Sequence, residues 1–329
     1  MMHKILVTHR IFPETATRLN AAGEVHAPLA ERFAKDELTA QLAGASAAMV
    51  FMPDLVDDGF IEAAPKLNVI AAALKGYDNI DVEACTARGI WVSIVPDLLT
   101  APTAELAMGL LIGLARHIRA ADLYVRSGDF RGWTPRFYGL QIENSTVGII
   151  GMGAVGRAVA ARLSGFDCRI LYCDETPASV AAAAPYCERR SLEPLLAESD
   201  MVVLCLPLDE GSFHLLNAER LRLMQPHALL INPARGSLVD EAAVADALAN
   251  GRIGGYAADT FELEDLAHSD RPRVIAPELL AHPNTLFGAH IGSATILARR
   301  AIELRAGENI IDALAGRRPR DAINQPQVG

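Results

Sequence analysis

Arg235, Glu264 and His290 each stand at the end of an apolar, strand-like run, in ALLINPARGSLVDE, GGYAADTFELED and NTLFGAHIGSA. All three lie C-terminal to a glycine fingerprint, Gly151-Met152-Gly153-Ala154-Val155-Gly156, of the kind that holds a dinucleotide. A cation, a carboxylate and an imidazole in that placement are parts for hydride chemistry on an anion. The cation holds the anion, the carboxylate orients and polarises the imidazole, and the imidazole moves a proton while a nicotinamide moves a hydride. Taken singly, each has an ordinary explanation. Arg235 could be a surface arginine, Glu264 lies in the acidic run FELED, and a histidine in an apolar segment is usually structural. Their joint placement at strand ends argues for a site.

The fingerprint sits between VGII, which reads as a strand, and RAVAARL, which reads as a helix. In that context Gly151 permits the tight turn, Gly153 lets the backbone approach a pyrophosphate at the helix N-terminus, and Gly156 allows close helix–strand packing. Ala154 and Val155 complete the turn. Asp174 ends the next strand, 18 residues after Gly156, where a carboxylate binds ribose hydroxyls; Glu175 follows it. Two acids there repel a 2′-phosphate, so NAD is expected in preference to NADP. Leu206 and Pro207 would line the adenine side, and Asp259 would sit near the nicotinamide amide. Thr103, Pro233, Ala234, Gly292 and Ser293, with Arg235 and His290, complete the candidate cofactor contacts.

These residues need elements to position them. KILVTHR (4–10), AAMVFMPD (47–54), LNVIAAALKG (67–76) and GIWVSIVPD (89–97) read as buried parallel strands separated by helices, a small doubly wound sheet. Pro96, Asp97 and Pro102 mark a change, after which Thr103 is placed to cap a long apolar helix through ELAMGLLIGLARHIRAADLYVRSG. RGWTPRFYGLQIEN reads as loop. Six further strands, at 146–153, 168–174, 200–208, 227–234, 254–261 and 284–292, match a Rossmann domain, and SATILARRAIELRAGENIIDALAG reads as a closing amphipathic helix.

The chain has 329 residues, about right for two α/β domains, with 51% hydrophobic and 21% charged residues. Its formal net charge of -10 argues against nucleic acid or an anionic membrane as partner, and obliges an anionic substrate to find a local basic pocket. The five cysteines are odd in number and show no CxxC spacing, so reduced thiols are expected and neither a disulfide framework nor a metal site. MMHKILVTHR enters a strand at once, and the apolar stretch 106–115 is too short to span a membrane. A cytoplasmic location is the expectation.

GMGAVGRA, NPARGSLVDE, the stretch from Asp259 to Glu264 and AHIGSA together resemble the D-2-hydroxyacid dehydrogenase family, over essentially the whole chain. The resemblance implies two doubly wound parallel-sheet domains with a cleft between them. One is a flavodoxin-like substrate domain of residues 1–98 plus 293–329, completed by the C-terminal helix. The other is a Rossmann NAD-binding domain of residues 99–292. It assigns Arg235, Glu264 and His290 as the catalytic arginine, glutamate and histidine. It also implies a homodimer, since the family pairs the region of the helix from Thr103 to about Ala121 around a two-fold axis, and that helix is apolar over more than one face.

AAMVFMPD, AAALKGYDNIDV, PDLLTAPTAEL, RSGDFRGWTPRFYG and GYAADTFELEDLAHSDRPR resemble more narrowly the phosphite (phosphonate) dehydrogenases of that family. This resemblance implies a substrate pocket of Lys75, Gly76, Met52 and Arg235, an aromatic wall of Trp133 and Tyr138, and a supporting Arg299. Trp133 and Tyr138 could equally be packing residues, and Lys75 a solvated lysine at a strand end. GAH before the histidine departs from relatives that more often carry proline there, and Asp174 replaces a glutamate of some relatives with the charge kept. The expected reaction is oxidation of phosphite, a small dianion that two cations, Lys75 and Arg235, would clamp. Two alternatives stand beside it. One is a 2-hydroxyacid dehydrogenase or glyoxylate/hydroxypyruvate reductase. The other is an NAD(H)-sensing binding protein like the corepressors of the family, which carry added interaction tails where this chain ends in RRPRDAINQPQVG.

Overall fold

Runs of four or five apolar residues without polar alternation become strands covered on both faces. In the computed structural model, which describes residues 2–175 and 186–326, these strands fall into two units. The smaller comprises residues 1–99, 266–269 and 294–329, and the larger residues 100–265 and 270–293. The short piece 266–269 therefore groups with the smaller unit, although it lies within the segment expected to be Rossmann.

The smaller unit holds β1 (Lys4–Val7), β2 (Glu24–His26), β3 (Ala47–Val50), β4 (Val69–Ala72) and β5 (Trp91–Ser93). They form a parallel five-stranded sheet among the described residues, in the order β2-β1-β3-β4-β5. Side chains alternate between two cores. Ile5, Val7, Ala47 and Met49 enter one, and Leu6, Ala48 and Val50 the other. The first core is closed by the last helix, Ile296–Leu314, whose Ile302, Ala306 and Ile310 recur every four residues on one stripe. Burying each of those isoleucines contributes about 1.5–3 kcal/mol. Thr295 caps this helix by accepting from Ala298 N.

The larger unit holds β6 (Thr146–Ile150), β7 (Arg169–Cys173), β8 (Cys187–Arg189), β9 (Met201–Leu204), β10 (Leu229–Asn232), β11 (Gly255–Ala258) and β12 (Thr285–Phe287). Its parallel sheet runs β8-β7-β6-β9-β10-β11-β12, a doubly wound Rossmann order with β12 added at the far edge. Val147, Ile149, Val203 and Ile231 face one core while Ile150, Val202, Leu204 and Leu230 face the other.

Three expectations need correction. Among the described residues each sheet has one strand more than the sequence suggested, β2 and β8, both three-residue edge strands with charged, exposed positions. The long helix is two, Thr100–Ala115 and Ile118–Arg126, broken where His117 takes φ 51°. Thr103 is not its cap, since the helix begins three residues earlier. Among the described residues no helix is long and apolar enough to cross a membrane.

Candidate active site

The glycine loop follows β6. Gly151 has φ 93°, and a Cβ there would lie 2.5 Å from the carbonyl oxygen of Cys205, just past β9. Only glycine meets both demands. Gly156 lies in the first turn of the helix Ala154–Leu163, and a Cβ on it would stand 2.0 Å from the Gly151 oxygen. Gly153 is the N-cap of that helix, and the space its missing Cβ would enter is open to 4 Å. Free room in front of a helix N-terminus is what a pyrophosphate requires, so the loop fits a dinucleotide. Ala154 and Val155 form the helix's first positions. Asp174, past the end of β7, turns its carboxylate back so that Oδ2 accepts from Met152 N, while its backbone oxygen accepts from Arg189 Nη2 at 2.8 Å. Glu175, beside it, is exposed. Leu206 follows β9 with its backbone next to Gly151, and the exposed Pro207 comes after it.

The ends of β10, β11 and β12 are knitted by their backbones. Asp259 N donates to Asn232 O, and His290 N donates to Asp259 O. The loops bearing Arg235, Glu264 and His290 therefore leave from one edge of the sheet. The buried Asn232 shapes the first of them: Oδ1 accepts from Ala234 N at 3.1 Å and Nδ2 donates to Arg235 O at 2.7 Å. Pro233 is buried, and Ala234 and Arg235 are half-buried.

Glu264 and His290 form a pair. His290 Nδ1 lies 2.6 Å from Glu264 Oε2, and Glu264 Oε1 accepts from Phe261 N at 2.9 Å. Both side chains keep about a quarter of their surface, 26% for Glu264 and 28% for His290. A carboxylate only accepts, so Nδ1 carries a proton and Nε2, which has no partner among the described residues, is the ring nitrogen left to exchange a proton with a substrate. His290 itself takes φ 54°, in the left-handed region.

Asp259 sits beneath this loop. It is 1% exposed, with Oδ1 accepting from Ile291 N at 2.9 Å and Oδ2 from Gly292 N at 2.8 Å. Burial pushes its carboxyl up, and those two N–H bonds and His290 oppose the shift. Its carboxylate thus holds the histidine loop. A Cβ on Gly292 would lie 3.3 Å from both Asp259 Oδ2 and Thr103 Oγ1, so Thr103 joins the same neighbourhood, with Ser293 half-buried next along.

In the smaller unit Met52 follows β3, and Lys75 and Gly76 follow β4. Lys75 is half-buried and has no carboxylate partner among the described residues. Arg299, on the last helix, donates Nη1 to Ala73 O at 3.1 Å and lies 5.5 Å over the Phe51 ring. Burial holds its guanidinium below its ordinary value. Met52, Lys75 and Arg299 thus gather at the C-terminal ends of β3 and β4, where ligands of open parallel sheets bind. Trp133 and Tyr138 are not brought into either group. They are 81% and 76% exposed, on an irregular stretch after the helix Ile118–Arg126.

Sequence reasoning passed over Asn232 and the Asp259 clamp on the histidine loop. NPARG carries an asparagine three residues before the arginine, a spacing suited to a side chain that bonds its own turn.

Residues 108–292 match the family model for the D-isomer specific 2-hydroxyacid dehydrogenase NAD-binding domain. A glyoxylate reductase of Pyrococcus furiosus is 37% identical over 334 residues, covering 100% of this chain and 97% of that protein. A solved protein of Thermus thermophilus superposes with a TM-score of 0.88 at 35% identity, over 98% of this chain and 100% of its own. An NADPH-dependent glyoxylate/hydroxypyruvate reductase of Sinorhizobium meliloti, solved with NADP and malonate, superposes with a TM-score of 0.85 at 29% identity, over 98% and 97% of the chains.

Proposed function

Because the chain belongs to the D-isomer specific 2-hydroxyacid dehydrogenase family, we propose that it is an NAD-dependent oxidoreductase interconverting a small 2-oxoacid of the glyoxylate class with its 2-hydroxyacid. The observation that carries this reading is the His290–Glu264 pair, with Nε2 of His290 unpartnered among the described residues at the strand edge that also bears Arg235. The names of the relatives support the substrate class. The nicotinamide, when bound, supplies or accepts the hydride. Arg235 binds the substrate carboxylate through its guanidinium fork and polarises the carbonyl. In reduction, protonated Nε2 of His290 gives its proton to the carbonyl oxygen; in oxidation, Nε2 takes it from the hydroxyl. Glu264 keeps Nδ1 protonated and stabilises the imidazolium. Asp174 and Glu175 select NAD by repelling a 2′-phosphate.

A second reading, oxidation of phosphite to phosphate, is favoured by Lys75, a half-buried ammonium without a carboxylate partner among the described residues, in a segment that, like that of Met52, resembles phosphite dehydrogenases. Here the P–H bond breaks with hydride transfer to the cofactor, and a water oxygen bonds to phosphorus. His290 takes the water's proton, and the sequence resemblance would have Lys75 and Arg235 balance the dianion.

One assay separates the readings. NADH consumption with glyoxylate or hydroxypyruvate supports the first, and NADH formation with phosphite, with phosphate appearing by phosphorus NMR, supports the second. Tight NADH binding with no turnover on either side would leave a sensor. A homodimer also belongs to this proposal, on the strength of the exposed Ile118, Leu123, Val125 and Trp133.

A further inference from the structure

Three acidic side chains behind the catalytic loops have no place in the chemistry above. Glu241 is 3% exposed, Glu262 is 8% and Asp265 is 2%. Burying carboxylates is costly unless each is hydrogen-bonded. Here they are bonded to backbone, and the bonds are reciprocal. Glu241 Oε1 accepts from Glu262 N at 2.8 Å, while Glu262 Oε1 accepts from Glu241 N at 2.7 Å. Asp265 Oδ2 accepts from Ser237 N at 2.7 Å. Each bond crosses between two loops. Residues 236–241 follow Arg235 directly, and residues 261–265 contain Glu264.

The backbones also touch. A Cβ on Gly236 would lie 1.9 Å from the carbonyl carbon of Phe261 and 2.1 Å from Glu262 N. A third loop joins them: His214 N donates to Ser237 O at 2.7 Å, and its Nε2 lies 3.2 Å from Glu262 Oε2. Glu262 accepts the first N–H of the helix Glu241–Ala249, so its charge also faces that helix's N-terminus.

We propose that Glu241 and Glu262 are positioning residues whose exchanged carboxylate-to-amide bonds fix the Arg235 loop against the Glu264–His290 pair. A one-residue error in either loop would separate the anion-binding guanidinium from the proton-transferring imidazole. Misplacement on the scale of 1 Å is enough to cost orders of magnitude in rate. Burial, with Glu262, Asp265 and Glu264 adding repulsion, pushes the Glu241 carboxyl up to about 7. A neutral side chain that still accepts from Glu262 N is therefore compatible with the clasp.

The kinetic arm of the test rests on the dehydrogenase reading; the exchange arm does not. Glu241→Asp and Glu262→Asp keep the charge but fall a methylene short of the partner amide. Glu241→Gln and Glu262→Gln keep the length and the acceptor. We expect the aspartate variants to lose tenfold or more in kcat, with NADH Kd within twofold of wild type. The glutamine variants should return kcat to within threefold. Aspartate variants with near-normal kcat would overturn the proposal. So would glutamine variants as impaired as the aspartate ones, or an aspartate variant that no longer binds NADH. Wild-type protein inactive on glyoxylate, hydroxypyruvate and phosphite would sink the functional reading instead. Amide hydrogen exchange then decides: Glu241→Asp should deprotect segments 236–241 and 261–265 together, and deprotection of its own segment alone, or of neither, refutes the clasp.

Discussion

The hydrogen bond from His290 Nδ1 to Glu264 decides which ring nitrogen meets the substrate, and so it sets the first expectation at the scale of single residues. Glu264→Gln still accepts that bond but no longer stabilises the imidazolium. Loss of a charge-assisted contact is worth about 1.5–3 kcal/mol, so kcat should fall roughly ten- to a hundredfold while NADH Kd measured by fluorescence stays put. Lys75→Ala separates the two substrate readings. Without its ammonium the KM for phosphite should rise roughly ten- to a hundredfold, whereas a carboxylate held by Arg235 should feel less than a threefold change. Cofactor choice is tested by Asp174→Ala with Glu175→Arg, which should move the ratio of kcat/KM for NAD over NADP toward NADP; a wild type that uses both equally would refute the acidic-ribose argument. Much at this scale was legible because strand ends and glycine spacing are local signals. What Asp259 binds was not: its partners Ile291 and Gly292 lie more than thirty residues away and contribute only backbone.

Among elements, the loop pair behind the site carries a pH signature. Glu241 binds its proton more tightly folded than unfolded, because burial and its acidic neighbours push its carboxyl up to about 7 from an ordinary 4.5. The groups facing it are Glu262, Asp265, Glu264 and the Tyr256 hydroxyl. A raised folded value stabilises the fold fully below the unfolded value, and that contribution is lost as pH rises through the folded one. The chemical-denaturation midpoint of wild type should therefore fall relative to Glu241→Gln between about pH 5 and pH 8, by a few kcal/mol of stability at most. Parallel midpoints across that range would contradict it. The sequence could not announce this pair. Glu262 and Glu264 sit in one acidic run that reads as solvated loop, and nothing local says that Glu262 points inward toward a helix start 21 residues earlier. The same reason hid β2 and β8. Three-residue edge strands with exposed Glu24, Glu188 and Arg189 carry no apolar run to betray them. The break at His117 was equally silent, because ARHIRAADL continues a helical composition across a left-handed residue.

For the whole molecule, the helix Ile118–Arg126 buries none of its residues, and Ile118, Leu123 and Val125 remain about half exposed. Mass measurement in solution should accordingly give roughly twice the 35.2 kDa of one chain, and an active monomer at micromolar concentration would refute the dimer. The two-unit plan was readable from the two series of strands, and the composition of the last helix suited it to covering a sheet. That helix, Ile296–Leu314, closes the core of the smaller unit with Ile302, Ala306 and Ile310, although β1, β3 and β4 are made at the other end of the chain. The consequence lies in biosynthesis. A ribosome adding about 5–20 residues per second finishes the first sheet and then needs roughly 10 to 40 s to deliver the helix that covers it. The larger unit completes its own strands within that interval. Until the helix emerges, the core of Ile5, Val7, Met49 and Val69 lacks Ile302, Ala306 and Ile310 and has only early residues such as Leu19 to cover it. The first 99 residues are therefore translated first yet wait for the last helix to close their core, and in that interval they offer a surface to chaperones or to a neighbouring nascent chain.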